Sequence, residues 1–514
     1  MKNTLAHHSS STTPLITRRQ AIEITLAASA ITLASACSSP SAAASTGTSG
    51  SSTGQPPPSG TAVNATLTVS ATAVGSISPA FAGLSYEKAT LYEPLFTGSN
   101  ANLIGLFKRL NSSVLRIGGN TVDHNVWTPA GTGQTAGQIA PADVDVLAAF
   151  LQATGWQCLY GVNLGGSGPA PYTSGSITAA TTPALAAQEA AYVASKLGSS
   201  LLGIEIGNEP DLYGRTYYPG GTWNPSAFEA VWDRFRTAIL AQTPNIAITG
   251  PANASNESKW TVPFAQWATK SKISLLTQHY YRGNGQSPAS TAANLITPDP
   301  NLINDLAIVN TAAQAIGVPY RLAECNSYYH GGSSGVSDSY ASSLWVIDYL
   351  FDCALGGASG VNFHGGGSGS GYTPIADSGG TVIEARPEYY GILLFNLAGQ
   401  GDLITTTLNA ASLNATAYAV KAASGSLNLI VVNKDPASNL SLSIQLSQSA
   451  SSATLIELAQ TSASLTATSG VTIQGANVAA NGSFTPGAAY TLATGGTHLT
   501  CYVPALSAVL IQIS

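Results

Sequence analysis

Charge is what this chain has least of. Only 9% of its 514 residues are Asp, Glu, Lys or Arg, and 19 lysines and arginines stand against 25 aspartates and glutamates. A formal net charge of -6 leaves no basic field to hold nucleic acid, a densely sulfated polymer or an anionic membrane surface. Cysteine is also sparse, with five residues (Cys37, Cys158, Cys325, Cys353 and Cys501). They are widely spaced and follow no metal-ligand pattern, so neither a metal nor any other cofactor is expected. Export would permit disulfides. Cys158 and Cys325 nevertheless lie in or beside apolar strand-like runs, where a free thiol serves as a small hydrophobe, so unpaired core cysteines are expected. A membrane-spanning run is missing too: the apolar stretch from Ile24 to Ala34 is too short to cross a bilayer as a helix.

That stretch has another reading. Arg18-Arg19 precedes it and the small residues Ala34-Ser35-Ala36 follow, which makes residues 1–36 an export signal similar to the twin-arginine type. The expected destination is the periplasm, the cell surface or the medium. Cys37 directly after Ala36 leaves open a lipid anchor, the one route by which this chain is expected to touch a membrane. Residues 37–64 are almost wholly Ser, Ala, Gly, Thr and Pro, a composition that cannot bury enough apolar surface to offset chain entropy, and they are expected to form a flexible linker.

Alternating hydrophobicity begins near Ala65, and residues 65–80 should supply one half-buried strand. From 81 to 400, short apolar runs alternate with segments whose apolar residues recur every three or four positions. Strands are expected near Phe81–Ser85, Val114–Ile117, Cys158–Val162, Leu202–Ile206, Ile246–Thr249, Ile273–Gln278, Tyr320–Ala323 and Gly360–Phe363. Helices are expected at Pro141–Ala153, Ala184–Leu197, Ser226–Ala241, Asn301–Ile316, Ser339–Leu355 and Glu388–Leu397. Eight strand-then-helix units with right-handed crossovers close into a (β/α)8, or TIM, barrel. Beyond residue 401 the helical pattern disappears, and 401–514 reads as an antiparallel β-sandwich that also takes in the strand at 65–80. The fold class is thus α/β.

Functional side chains of such a barrel stand where strands end, on the carboxyl-terminal face. The fourth run, Leu202-Gly203-Ile204-Glu205-Ile206, ends in Gly207-Asn208-Glu209-Pro210, and Pro210 cannot extend a ladder. The seventh run ends at Glu324-Cys325-Asn326. Carboxylates on strands four and seven face each other across the barrel mouth. Retaining glycosidases need two carboxyl groups about 5–5.5 Å apart, one ionised to attack the anomeric carbon and one protonated to release the leaving oxygen.

The Asn-Glu-Pro after strand four and the Glu after strand seven resemble the retaining (β/α)8 glycosidase clan. Within it, Leu115-Arg116-Ile117-Gly118-Gly119-Asn120-Thr121-Val122-Asp123 resembles a segment of glycoside hydrolase family 79, the β-glucuronidase and heparanase family. The resemblance runs from about Leu67 to the C-terminus. It implies Glu209 as general acid/base, Glu324 as nucleophile, Asn208 as donor to the sugar 2-hydroxyl, and Glu87 and Asp123 as ligands of other hydroxyls. It further implies that a substrate carboxylate is met by tyrosine hydroxyls and a backbone N–H, for which Tyr280, Tyr281, Tyr328, Tyr329, Gly371 and Tyr372 are candidates. Which of the doubled tyrosines points inward stays open. The implied substrate is a glycan or glycoside with a terminal uronic acid. Cleavage of heparan sulfate is disfavoured, because sulfates call for Arg and Lys.

Several of these residues also have plainer structural readings. Glu205 could be the true rim carboxylate in place of Glu209. Arg116 reads as a tie between loops inside the barrel, and Gly118-Gly119 as backbone geometry rather than phosphate binding. His279 and His364 read as hydrogen-bonding pocket residues, and Trp127, Trp156, Trp223 and Trp260 as core more than sugar platforms. An α-L-arabinofuranosidase or β-xylosidase of the same clan would share the Glu pair, while a non-catalytic carbohydrate-binding protein would not need both glutamates.

Overall fold

The computed structural model describes residues 54–369 and 371–514. The expected export signal, Cys37 and the first part of the expected linker, up to residue 53, lie outside them.

Eight parallel strands close into a barrel: Ala82–Glu87, Val114–Gly118, Gln157–Val162, Leu201–Ile206, Ile248–Asn253, Leu275–Asn284, Tyr320–Tyr329 and Val361–Gly365. These are barrel strands one to eight. Each is followed by a helix, and the sequence pattern marked six of the eight. The two it missed are Ala101–Arg109, after strand one, and Thr261–Lys272, after strand five. Pro263 lies in the first turn of the latter, where a proline removes only a donor that has no helical partner. Helix starts follow the sequence closely: prolines occupy the first turn at 141, 183, 225, 300 and 387. Thr182, Asn224 and Asp299 cap their helices by accepting from Leu185, Ala227 and Leu302.

The carboxyl-terminal region is a curled sheet of mainly antiparallel strands. Its strands 453–460, 507–513, 427–433, 415–422 and 401–409 lie side by side, and Ala62–Ile77 continues the ladder to 439–445 and 498–503. The N-terminal strand pairs antiparallel with 401–409 but parallel with 439–445, so the sheet is not purely antiparallel. Ala65, Leu67 and Val69 alternate inward on this strand and join Leu429, Leu442 and Val509 in a core enclosed by the curl. On the other face Leu403, Ile430, Val432 and Leu510 belong to the same hydrophobic core as the barrel, reached through helices Tyr340–Leu355 and Pro387–Ala398. The Lys434 ammonium pairs with Asp348 across this junction. The barrel and the sheet form one compact unit.

Residues 54–61 lie along the sheet: the Gln55 side chain exchanges two 2.8 Å hydrogen bonds with the backbone of Tyr502, and the carbonyls of Ser59 and Thr61 each accept from Asn439 at 2.9 Å. Low-complexity composition withholds side chains from a core, but it leaves backbone groups free to pair.

Candidate active site

Strand four delivers Glu209 by a strained exit. After Ile206 the chain turns through Gly207 at φ 84, where a Cβ would stand 2.7 Å from the Tyr213 hydroxyl. Glu209 itself takes the left-handed conformation (φ 52, ψ 52), uncommon outside glycine. Two backbone bonds hold it there, Glu209 N to Ala252 O and Leu212 N to Glu209 O, both 2.9 Å. Such strain costs roughly 1–3 kcal/mol and persists where surrounding structure over-determines it, often at functional sites. Glu205 is fully buried beneath the rim, so Glu209 is the rim carboxylate.

Strand seven delivers Glu324 by a β-bulge. Arg321 and Ala323 both face the barrel interior: Arg321 bonds the carbonyls of Ala80, Phe81 and Val361, and Ala323 packs on Val114 and Leu159. Strict alternation would therefore turn Glu324 outward. Pairing with strand six instead runs Gln278 to Leu322, then His279 to Glu324, and pairing with strand eight skips at the same place. The extra residue flips the parity and aims Glu324 into the pocket, the usual service of a bulge beside an active site.

Oxygen atoms of Glu209 and Glu324 thereby come within 4.8 Å of each other. Arg116, on strand two and wholly buried, organises the floor beneath them. Its Nη1 donates to Glu324 Oε2 at 2.8 Å, Nη2 to Asn208 Oδ1 at 2.9 Å and Nε to Glu205 Oε2 at 2.7 Å. The expectation of an internal tie holds; contact with Glu324 was not foreseen. Gly118 leaves space for that guanidinium, which a Cβ would meet at 2.3 Å, and Gly119, at φ 73, leaves space for the Glu87 carboxylate at 2.4 Å.

The two glutamates are driven apart electrostatically. Burial, and then the charge of Glu324, push Glu209 up to about 8. Burial alone would raise Glu324 as well, but His364, Arg116 and the Tyr281 hydroxyl (2.8 Å from Oε1) overcome it and hold Glu324 well below the ordinary carboxylate range. His279 Nδ1 lies 3.2 Å from Glu209 Oε1, and burial pushes that ring down to about 4, so it is neutral at pH 7. We therefore assign the stabilisation of Glu324 to Arg116, Tyr281 and His364 rather than to any charge on His279.

The other sequence candidates separate into those at the site and those away from it. Glu87 accepts from the backbone and hydroxyl of Thr121 at 2.8 and 2.7 Å, and stands 3.7 Å from His364 Nε2. Burial would raise Glu87, but His364 and the Thr121 amide lower it overall. Asp123 is not available to a sugar: it is 1% exposed, and its oxygens accept from the amides of Leu164 and Gly165 and from the Tyr213 hydroxyl. Burial pushes it up to about 6 despite those bonds, and it serves as a tie between loops.

In each doubled tyrosine the second member faces the pocket. Tyr281, Tyr329 and Tyr372 form one cluster, with ring centroids of 6.5 Å and 5.8 Å from Tyr281 to the other two. Tyr280 points away and bonds Asp299 at 2.8 Å, while Tyr328 is buried beside Gly283 and Arg282. The Gly371 N–H donates to Gly369 O at 2.7 Å, turned into its own loop. His364 Nδ1 is 3.1 Å from the Ser85 hydroxyl and 3.7 Å from Glu324. Trp127, Trp156 and Trp260 are core residues, and Trp223 is half-buried with its Nε1 on the Pro210 carbonyl. The four cysteines among the described residues are buried and unpaired.

Glu209, His279 and Glu324 also place three donor atoms where a divalent ion could sit, a grouping that sequence spacing did not reveal. The Glu324 oxygens already accept from Arg116 and Tyr281, and a guanidinium at 2.8 Å opposes a second cation. The set fits a carboxylate pair better than a metal centre.

No family model matches the chain. It is 26% identical over 365 residues to a β-glucuronidase of Aspergillus niger, covering 62% of this chain and 63% of that protein. To a β-glucuronidase of Neurospora crassa it is 24% identical over 382 residues, covering 64% and 66%. The chain thus spans just under two thirds of the length of these relatives. Among solved structures, a 4-O-α-L-rhamnosyl-β-D-glucuronidase from Fusarium oxysporum superposes with a TM-score of 0.70 at 20% identity, covering 87% of this chain and 99% of that one. A GH51 arabinofuranosidase from Xanthomonas axonopodis pv. citri gives 0.64 at 17%, covering 88% and 100%. The fold is that of the glycoside hydrolase barrels. Their β-sandwich corresponds to the curled sheet here.

Proposed function

We propose that the chain is a retaining glycoside hydrolase, an exo-β-glucuronidase that releases terminal β-linked glucuronic acid from glycans or glycosides. The observation that carries this is the Glu209–Glu324 pair, with oxygens within 4.8 Å and affinities for the proton shifted in opposite directions. An inverting enzyme needs room for water between its carboxylates, about 6.5–9.5 Å. Ionised Glu324 attacks the anomeric carbon as the glycosidic bond breaks, and Glu209 gives its proton to the departing oxygen. Glu209, now ionised, takes a proton from water, whose oxygen attacks the same carbon and frees Glu324. Asn208, oriented by Arg116, meets the 2-hydroxyl, and Glu87 meets a hydroxyl farther around the ring.

The uronic acid reading draws on the β-glucuronidase relatives and on the tyrosine cluster. Tyr281 is engaged on Glu324, and its cluster neighbours Tyr329 and Tyr372 are the rings assigned to the substrate carboxylate. Assay of 4-nitrophenyl β-glucuronide beside the α-L-arabinofuranoside and β-xyloside tests it. Turnover of the glucuronide is expected to dominate, and preference for either pentoside would overturn the assignment. Export rests on Arg18-Arg19 and the apolar stretch behind them, and replacing both arginines by lysine should leave the protein in the cytoplasm.

A further inference from the structure

Glu209 keeps its left-handed backbone against a second residue in the same conformation. Ala252, on strand five, stands at φ 58, a region unfavourable for any residue but glycine. The ladder between strands five and six shows why it is there. Pairing runs Thr249 to Leu275, Gly250 to Leu276 and Pro251 to Thr277, then steps to Asn253 opposite Gln278. Ala252 is the extra residue of a β-bulge, and its backbone groups are released from the ladder to point elsewhere.

Both groups are used. The Ala252 N–H donates to the Thr277 hydroxyl at 3.1 Å, and the Ala252 carbonyl accepts from the Glu209 N–H at 2.9 Å. Thr277 and Ala252 are wholly buried, so solvent is no ready substitute for either partner. The ladder between strands four and five ends at Glu205 and Thr249, and above that point the bulge joins the two strands again. Beyond the bulge the chain is clipped a second time: the amides of Ala254 and Ser255 donate to the two oxygens of Asp211, at 2.9 and 3.2 Å. Between the clips, the Asn253 side chain donates to the Thr261 hydroxyl at 3.0 Å and its carbonyl accepts from the Gln278 side chain at 2.9 Å.

A group that delivers a proton must lie within hydrogen-bond reach of the oxygen it serves. A small displacement of Glu209 would therefore weaken assistance to the leaving group while Glu324 keeps its line of attack. We propose that Thr277 and Asp211 are positioning residues for this proton transfer. Thr277 sets the bulge, the bulge and Asp211 hold the segment 209–211 from both ends, and the Glu209 carboxyl is thereby aimed at the departing oxygen. Both act through the backbone of Glu209 rather than on the substrate. The inference rests on Glu209 being the general acid/base, and it makes strand five as necessary to that role as strand four.

Two glycosides separate this role from a general loss of structure: methyl β-glucuronide, whose departing oxygen needs the proton, and 4-nitrophenyl β-glucuronide, which needs little help. Thr277→Val keeps the shape and removes the acceptor, and kcat/KM on the methyl glycoside should fall roughly tenfold more than on the nitrophenyl one. Thr277→Ser, which keeps the hydroxyl, should restore the wild-type ratio. Asp211→Ala should shift the ratio in the same direction, and because Asp211 is only half-buried this variant decides alone if Thr277→Val does not fold. Equal losses on the two glycosides, or a Thr277→Ser variant no better than Thr277→Val, overturn the positioning role, and the acid/base reading still stands if Glu209→Gln shows the selective loss. Equal losses in Glu209→Gln itself overturn both.

Discussion

Replacing Glu324 by glutamine should release the proton held on Glu209. Their nearest oxygens lie within 4.8 Å, and at an effective dielectric of about 20 two such charges repel by about 3.5 kcal/mol. Removing one should bring Glu209 down from about 8 to about 5.5, since 1.36 kcal/mol corresponds to about one pH unit. Arg116, deprived of one partner, reinforces the same direction. Glutamate labelled with 13C at the carboxyl carbon reports the titration directly by NMR in wild type and variant. In the active enzyme the same proton should govern the alkaline limb: kcat/KM stays level as long as Glu209 is protonated and falls tenfold per pH unit above about 8. The acid limb should lie below the ordinary carboxylate range, because Glu324 must be ionised and is held low. A Glu209 titration that moves by less than half a pH unit on Glu324→Gln would refute the coupling on which the division of roles rests.

Glu209→Gln should lower kcat/KM by about 10²- to 10⁴-fold on glucuronides with sugar or alkyl leaving groups, and far less on 4-nitrophenyl glucuronide, which needs little acid assistance; equal losses on both would count against Glu209 as the acid. Tyr281→Phe removes the 2.8 Å bond to Glu324 Oε1, and a bond to a charged group contributes about 1.5–3 kcal/mol, so kcat/KM should fall about 10- to 150-fold while the acid limb moves upward. An unmoved acid limb would show that this hydroxyl does not stabilise the ionised form. Arg116→Met strands Glu205 and Glu324 in the floor of the barrel, and breaking a buried pair in this way costs about 3–5 kcal/mol, readable by urea unfolding. A loss under about 1 kcal/mol would mean that the guanidinium is not the counter-charge of the site.

Much of this architecture was legible because barrel strands are short, continuous apolar runs and their helices start with prolines and capping side chains. Glu209 was marked by its Asn-Pro frame at the end of such a run. The missing pieces share a physical reason: they depend on contacts between segments distant in sequence. A bulge at Ala323 cannot be read from alternation, yet it decides that Glu324 faces inward. Asp123 sits in the expected segment, but the amides of Leu164 and Gly165 fold over it and take it away from any ligand.

Trapping the covalent intermediate tests the central claim most directly. Incubation with 2-deoxy-2-fluoro-β-glucuronosyl fluoride, followed by proteolysis and mass spectrometry, should find the fluoroglucuronosyl group on the peptide containing Glu324 and nowhere else. A label on another carboxylate would contradict the assignment of Glu324. An unlabelled enzyme that hydrolyses β-glucuronides with inversion at the anomeric carbon would contradict double displacement altogether.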